Sequence, residues 1–402
     1  MELLHYFNHQ NLRKQQLLCL KMHRVKLAIV HNTIAPYRHP LFEALSQDLD
    51  LMVYYCSVRH SSREWDLWPR NYDYKYKILP RIPFKTSLGS NSLNPSIITE
   101  LVLDKPHVIM LSSYTDPTTW LALAVAKLLK IPLIYWTEGI KEPESILGII
   151  TKPIRSLFAI TSDACLAQGN RTKEYLESLG VDNASIFIAH NCVDNELLID
   201  WSQQFKKKKN LLRKQLNFHE KHLVLFVGQL IPRKGVFDLM RIYEKVVQKR
   251  RETGLIVLGS GPLKSQLLSI VSKNKLINVH FVESGISLSE LVKYYSIVDL
   301  LVLPTLFDLA PLVLNEAMAC GLPIVVYNAA GNAYELVIPG VNGEVIETGD
   351  VEIFSEAIVR IISDEKLRKK MSKESIRIIT SVSSVDSTTT GFLKAIEYVL
   401  KK

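Results

Sequence analysis

The chain has 402 residues, 47% hydrophobic and 22% charged; this excludes wholesale disorder, and the length exceeds what one core usually fills, so two domains are expected. Lysine and arginine outnumber aspartate and glutamate by 49 to 40, a net charge of +9, which suits an anionic partner such as a nucleotide diphosphate, an anionic lipid surface or a nucleic acid. Five scattered cysteines (Cys19, Cys56, Cys165, Cys192, Cys320) with no Cys-x-x-Cys pair argue against a disulfide frame or zinc site and read as reduced thiols of a cytosolic protein.

Residues 1–24 read as an N-terminal extension. Leu17–Leu20 is too short for a signal-peptide core and is closed by Lys21, His23, Arg24 and Lys26. No stretch reaches the roughly 18 uncharged apolar residues of a membrane span. The nearest, Leu121–Trp136, is interrupted by Lys127, Lys130 and Pro132. The expected location is the cytoplasm, peripheral on the inner face of the cell membrane.

Residues 25–200 read as one Rossmann-like domain. Strands are predicted at Val25–Val30, Leu51–Tyr55, Val108–Leu111, Leu133–Trp136 and Ala164–Ala167. Helices are predicted around Leu41–Leu49, Ser96–Leu103, Trp120–Leu129 and Thr172–Leu179. Strands alternating with helices predict a parallel sheet with right-handed crossovers. In such sheets ligands bind beyond the carboxyl ends of the strands. Three loops at those ends stand out. His31–Arg38 places Tyr37 and Arg38 where they can contact a ligand or its phosphates; the alternative is a surface turn with a solvated arginine. Thr137-Glu138-Gly139 offers Glu138 as a ligand-binding or a capping carboxylate. Ser145–Ile160 is apolar with Lys152 and Arg155 interspersed; it is read as a half-buried helix broken at Pro153, with docking at a bilayer interface as the alternative.

His190–Asp194 closes this domain, and residues 201–221 form a basic linker. Its Lys206–Lys209 run has no interleaved aromatic residue, so it reads as solvated surface rather than a nucleic-acid arm.

Residues 222–387 read as a second Rossmann-like domain. Strand Leu223–Val227 runs into the loop Gly228–Gly235, followed by a helix over about 237–248. Arg233 and Lys234 stand before that helix, and cations beside free N–H groups suit a departing diphosphate. A solvated Arg-Lys pair is the bland alternative. Strand Leu255–Leu258 ends in Gly259-Ser260-Gly261-Pro262. There is no complete Gly-x-Gly-x-x-Gly and no Gly-Lys-Ser/Thr, which argues against a dehydrogenase and a P-loop ATPase. After strand Val279–Val282 and helix Ser289–Ser296, the apolar run Val298–Pro304 predicts a strand buried on both faces.

A turn over Thr305–Ala310 then leads to a helix whose apolar positions include Leu312, Val313 and Ala317–Ala319, stopped by Gly321 and Pro323. Strand Ile324–Tyr327 begins at once. Asp308 precedes this helix, where the N–H groups of Leu309, Ala310 and the first turn converge, a place for a phosphate or an oxygen-rich ligand. Its carboxylate can accept from sugar hydroxyls, and Glu316, two turns along, can reach a ribose diol. A capping aspartate with a solvated helix glutamate is the alternative. A helix over Val351–Ser363 follows, and a last one, residues 388–402, is expected to cross back to the first domain.

Several of these stretches resemble one family, the retaining glycosyltransferases of family 4 (glycosyl transferases group 1). Asp308-x7-Glu316 followed by Ala317–Pro323 resembles their Glu-x7-Glu signature, with Asp in the first place. Gly228–Gly235 resembles their Gly-Arg-Leu-x-x-x-Lys-Gly loop, with Lys234 as its lysine and Gln229 where the arginine stands, beside a compensating Arg233. Asn32–Arg38 resembles the Asn-x-x-x-Pro-Tyr-Arg opening of one subgroup, and Asn191–Asp194 their Asn-Gly-Val-Asp motif with Cys192 for Gly. Glu138 stands where many members carry His. Gly331–Leu336 and Gly340–Gly343 match their closing segments. The resemblance runs from about Val25 to the C-terminus and is densest in the second half.

It implies the α/β GT-B fold: two facing Rossmann-like domains with parallel sheets and a central cleft. It implies catalysis by Lys234, Arg233 and Asp308, with Asp308 on the donor sugar and Glu316 on the ribose. Donor binding would fall to Gly228, Gln229, Ala310, Pro311, Leu312 and Glu316, and acceptor binding to Tyr37, Arg38 and Glu138. The implied reaction is retaining transfer of a hexose from a nucleotide diphosphate sugar to a glycan or lipid-linked saccharide, as in polysaccharide or cell-envelope glycan synthesis. No cofactor, metal or nucleic acid is expected. A sugar-nucleotide epimerase of the same fold and a non-catalytic nucleotide- or glycan-binding protein are the alternatives.

Overall fold

The apolar runs of the first half become strands of a seven-stranded parallel sheet in the order β3-β2-β1-β6-β7-β8-β9. Their ranges are β1 Lys26–Thr33, β2 Asp50–Ser57, β3 Lys75–Ile78, β6 Val108–Leu111, β7 Leu133–Thr137, β8 Ala164–Ala167 and β9 Ile186–Ile188, while β4 Ile82–Thr86 and β5 Gly89–Leu93 form a separate antiparallel pair. The structure is a computed structural model that describes residues 25–58, 72–86, 89–141 and 146–402; residues 1–24 lie outside the described residues. Leu27–Val30 and Val108–Leu111 are wholly buried, as parallel strands covered on both faces must be. Five strands are predicted for this sheet. The two additional ones, β3 and β9, are an exposed edge strand of sequence KYKI and a strand of three residues.

Helices His39–Asp48, Ile97–Asp104, Pro117–Leu128, Ile146–Thr161 and Asn170–Ser178 connect the strands. The break expected at Pro153 is absent: helix Ile146–Thr161 runs through it. Phe158 and Ala159 on its inner side are fully buried, and that burial offsets the hydrogen bond a mid-helix proline removes. A final helix, Val385–Lys401, packs on this sheet, so the first compact unit comprises the chain up to His190 together with Val385–Lys402.

Asn191–Ser384 forms the second unit. Its six-stranded parallel sheet has the order β12-β11-β10-β13-β14-β15. The strands are β10 His222–Val227, β11 Thr253–Leu258, β12 Val279–Val282, β13 Leu300–Leu303, β14 Ile324–Tyr327 and β15 Gly343–Ile346. The segment expected as a basic linker is instead helical, Asn195–Lys206 and Lys209–Gln215. Asp194 starts the first of these by accepting from the Leu197 N–H at 3.0 Å, which gives the Asn-Cys-Val-Asp stretch a capping role. Nor is the whole lysine run solvated. Lys206 Nζ donates to the Cys320 carbonyl at 2.6 Å, and Lys209 and Arg213 grip Asp299 at 2.9 and 3.0 Å. Only the middle pair, Lys207 and Lys208, is exposed, in the turn between the two helices.

In both sheets the strand order reverses once, between β1 and β6 in the first unit and between β10 and β13 in the second. Connections leave in opposite directions at such a point and open a crevice beyond the carboxyl ends. No helix among the described residues is long and apolar enough to cross a membrane. Cys56, Cys165, Cys192 and Cys320 are buried, and no disulfide joins them.

Candidate active site

In the second unit the crevice is built by the loops after β10 and β13. The first passes through a short turn, Pro232–Lys234, and reaches helix Val236–Lys249 by way of Gly235. Gly235 has φ +65°, and a Cβ there would lie 1.7 Å from the Pro304 carbonyl oxygen. Only glycine lets the two loops touch. The contact is then sewn by hydrogen bonds to the Arg233 carbonyl, from the Leu306 N–H at 2.8 Å and the Thr305 hydroxyl at 3.0 Å.

This seam joins the residues singled out in the sequence. Lys234 Nζ forms an ion pair and hydrogen bond with Asp308 Oδ2, and Arg233 Nη1 lies 3.5 Å from Asp308 Oδ1. Lys234 and Asp308 are only 12% and 13% exposed, whereas Arg233 is 44% exposed. Asp308 is therefore not the helix cap that the bland alternative required. The helix Leu312–Ala319 starts from Pro311 with no side-chain cap, and its first N–H groups have no intrahelical acceptor. The Asp308 backbone is fixed separately, its carbonyl accepting from the Gly331 N–H at 2.9 Å. Pro311 is buried, while Ala310 and Leu312 keep part of their surface.

Gly228 donates its N–H to the Leu258 carbonyl at 3.0 Å, and the Leu230 N–H reaches Ser260 O at 2.8 Å. A Cβ on Gly259 would meet the Gly228 oxygen at 1.9 Å. The Gly-Ser-Gly segment thus serves to seat the loop after β11 against the loop after β10. Gln229, in the place of the expected arginine, is exposed.

Glu316 sits in a different setting on the same helix. It keeps part of its surface, but burial drives its carboxyl up to about pKa 7, against the opposing effect of a hydrogen bond from the Tyr295 hydroxyl at 2.7 Å. Tyr295 is wholly buried, so it fixes the carboxyl from behind. The neighbouring Asn315 has a structural task, donating to the Asn191 carbonyl at 3.0 Å.

In the first unit, Tyr37, Arg38 and Glu138 come together. They line one cavity of about 100 Å³ beyond the carboxyl ends of β1, β6, β7 and β8, with His31, Thr33, Trp136 and Gln168 among the other wall residues. Arg38 is 3% exposed, and its guanidinium lies 4.2 Å from the Trp136 ring and 4.9 Å from the Tyr37 ring. His31 donates through Nδ1 to the Thr33 carbonyl, 2.9 Å away. Burial first, and then the charge of Arg38, lower its pKa to about 3, so it is neutral. Sequence reasoning did not single out Trp136 and Gln168. Their signal is positional: each stands at or just past the carboxyl end of its strand.

Residues 207–377 match the family model described as "Glycosyl transferases group 1". The chain is 26% identical over 295 residues to the sulfoquinovosyl transferase SQD2 of Arabidopsis thaliana, a match covering 71% of this chain but 55% of that protein, so it spans about half the length of that relative. It is 22% identical over 311 residues to the capsular polysaccharide biosynthesis glycosyltransferase CapM of Staphylococcus aureus, covering 74% of this chain and 78% of the other. Among solved structures it is similar to Anabaena HepE in complex with UDP, with a TM-score of 0.74 at 16% identity over 93% of this chain and all of that one. The last likeness speaks for the fold.

Proposed function

Residues 207–377 belong to the glycosyl transferases group 1, on a chain with the α/β GT-B fold of two Rossmann-like units, and on that premise we propose that the protein transfers a hexose from a nucleotide diphosphate sugar with retention of configuration. The acceptor is a glycan or a lipid-linked saccharide, in polysaccharide or cell-envelope glycan synthesis on the inner face of the membrane; the name of the Staphylococcus relative supports that class of product. The observation that carries the reading is the Lys234–Asp308–Arg233 cluster at the strand-order reversal of the second unit.

The chemistry follows from charge. Breaking the glycosidic bond leaves negative charge on the nucleotide diphosphate. Lys234, Arg233 and the free N–H groups of helix Leu312–Ala319 meet it with donors already in place. Because these groups supply the counter-charge, the reaction needs no metal ion. Asp308 is held by Lys234 until the donor arrives. It then accepts from the sugar hydroxyls while Lys234 turns to the phosphate. Glu316 accepts from the ribose diol. The acceptor hydroxyl attacks the face the diphosphate leaves, and its proton passes to the departing phosphate oxygen, so no second carboxylate is consumed.

A thermal-shift screen with uridine, guanosine and adenosine diphosphate sugars tests this. Any donor that stabilises the protein is then incubated with oligosaccharide and lipid-linked acceptors. Transfer with retained anomeric configuration is expected. Turnover without any acceptor, or binding without transfer across the panel, overturns the reading.

A further inference from the structure

The cavity of the first unit has a property its acceptor-side location does not require. Four of its wall residues carry buried polar atoms with no hydrogen-bond partner: Thr33 Oγ1, Arg38 Nε, Trp136 Nε1 and Gln168 Oε1. All four residues are at least nine-tenths buried, at 4%, 3%, 2% and 5% exposure. Buried polar atoms are nearly always paired, and each orphan is destabilising. Four of them belong to residues that wall one cavity, which suits a polar ligand there.

The ligand's charge follows from Arg38. Its guanidinium lies over the Tyr37 and Trp136 rings, and no ion pair joins it to a carboxylate among the described residues. A buried cation is retained only where something compensates it, and ring faces do so only in part. His31, pushed to its neutral form, adds no charge of its own. Size narrows the choice further. About 100 Å³ is far below the roughly 300–1,000 Å³ of a site that encloses a drug-sized ligand, but it admits one small polyatomic group. Glu138 and Gln168 add acceptors to the same wall, which suits hydroxyls beside the anion.

We infer that this cavity is an oxyanion subsite, seating on Arg38 a phosphate or carboxylate carried by the saccharide acceptor, with the acceptor's hydroxyls turned to Glu138 and Gln168. The identity of the ligand rests on the glycosyltransferase reading; the existence of the oxyanion site does not.

The test reads binding, not turnover. Inorganic phosphate is titrated calorimetrically into the full chain already saturated with whichever of uridine, guanosine or adenosine diphosphate it binds, so that the second unit's cations are occupied. Wild type should bind phosphate. Arg38→Gln should weaken that binding about tenfold or more, as the loss of a charge-assisted hydrogen bond does. Trp136→Phe, which removes the indole N–H and trims the ring beside the Arg38 guanidinium, should weaken it less than Arg38→Gln does. Affinity for the nucleoside diphosphate should be the same in all three proteins. Equal phosphate binding in wild type and Arg38→Gln overturns the site. A matching loss of nucleoside diphosphate affinity in Arg38→Gln assigns the anion to the donor and overturns the acceptor assignment. If no nucleoside diphosphate binds wild type, the glycosyltransferase reading fails, and phosphate titrated alone still decides the site.

Discussion

Glu316→Gln should stabilise the unliganded protein at pH 8 and do much less at pH 5. In the unfolded chain the carboxyl titrates near 4.5, and in the fold near 7. Between those values the folded state holds a proton that the unfolded state has lost. Stability therefore falls as pH rises through that window, and the full penalty is reached above pH 7. At about 1.4 kcal/mol per pK unit the penalty is about 3 kcal/mol, of which about 2–3 kcal/mol develops between pH 5 and 8. Since Glu316 keeps part of its surface, solvent screening makes these upper values. Glutamine still accepts from the Tyr295 hydroxyl, now 2.7 Å from Glu316, but carries no charge to desolvate, so its contribution has no slope. Urea unfolding of both proteins at pH 5 and pH 8 gives the difference directly. If the stability gap between variant and wild type changes by less than about 0.5 kcal/mol, a difference small beside the penalty, the carboxyl is not desolvated as the structure has it. The same variant should bind nucleoside diphosphate more weakly at pH 8, so the fold would be tolerating a strained carboxylate that the ribose uses.

Lys234→Ala should retain the fold but lose about 2.7–4 kcal/mol of transition-state stabilisation, a hundredfold or more in turnover; turnover within a few-fold of wild type at saturating donor would contradict the role given to it. Asp308→Asn should leave free nucleotide affinity nearly intact by calorimetry while lowering turnover and blurring the choice between epimeric sugars, whereas Glu316→Gln should weaken free nucleotide and full donor together. Treatment with EDTA should leave activity unchanged, because Lys234 and Arg233 supply the counter-charge; a loss restored by magnesium or manganese would refute the metal-free mechanism. Gly235→Ala should lower the melting temperature, since its Cβ would fall 1.7 Å from the Pro304 oxygen.

The two sheets were legible wherever a strand is buried on both faces. Leu223–Val227, Leu255–Leu258 and Ile324–Tyr327 are uninterrupted apolar runs, and burial selects for that pattern. Helix Val351–Ser363 was legible as well; Asp350 caps its start, and Asp364 caps the next helix, Glu365–Val382, which was not predicted. Strand β3 was not, because an exposed edge strand needs no apolar pattern. Helices Asn195–Lys206 and Lys209–Gln215 were hidden behind their lysines. What orders those lysines is the Cys320 carbonyl and Asp299, which are distant in sequence and adjacent only in the fold. The candidate site divides the same way. Lys234, Asp308 and Glu316 were visible as motif residues. The pairing of Lys234 with Asp308 and the support of Glu316 by Tyr295 depend on strands that meet only in the folded sheet.

The helix Val385–Lys401 carries one more consequence, for biosynthesis. It packs on the first unit's sheet, and its wholly buried Phe392 sets its ring 5.0 Å from Trp136, in the wall of the Arg38 cavity. The first unit is thus split in sequence around the second. A ribosome delivers the N-terminal part early, yet that part cannot cover its sheet until residues 385–402 emerge. The unit encoded later, Asn191–Ser384, is complete sooner. At about 5–20 residues per second, the intervening 191–384 stretch leaves the nascent first unit with an uncovered apolar face for roughly ten seconds or more. That interval is one in which a chaperone, or a helix supplied in trans, has something to hold.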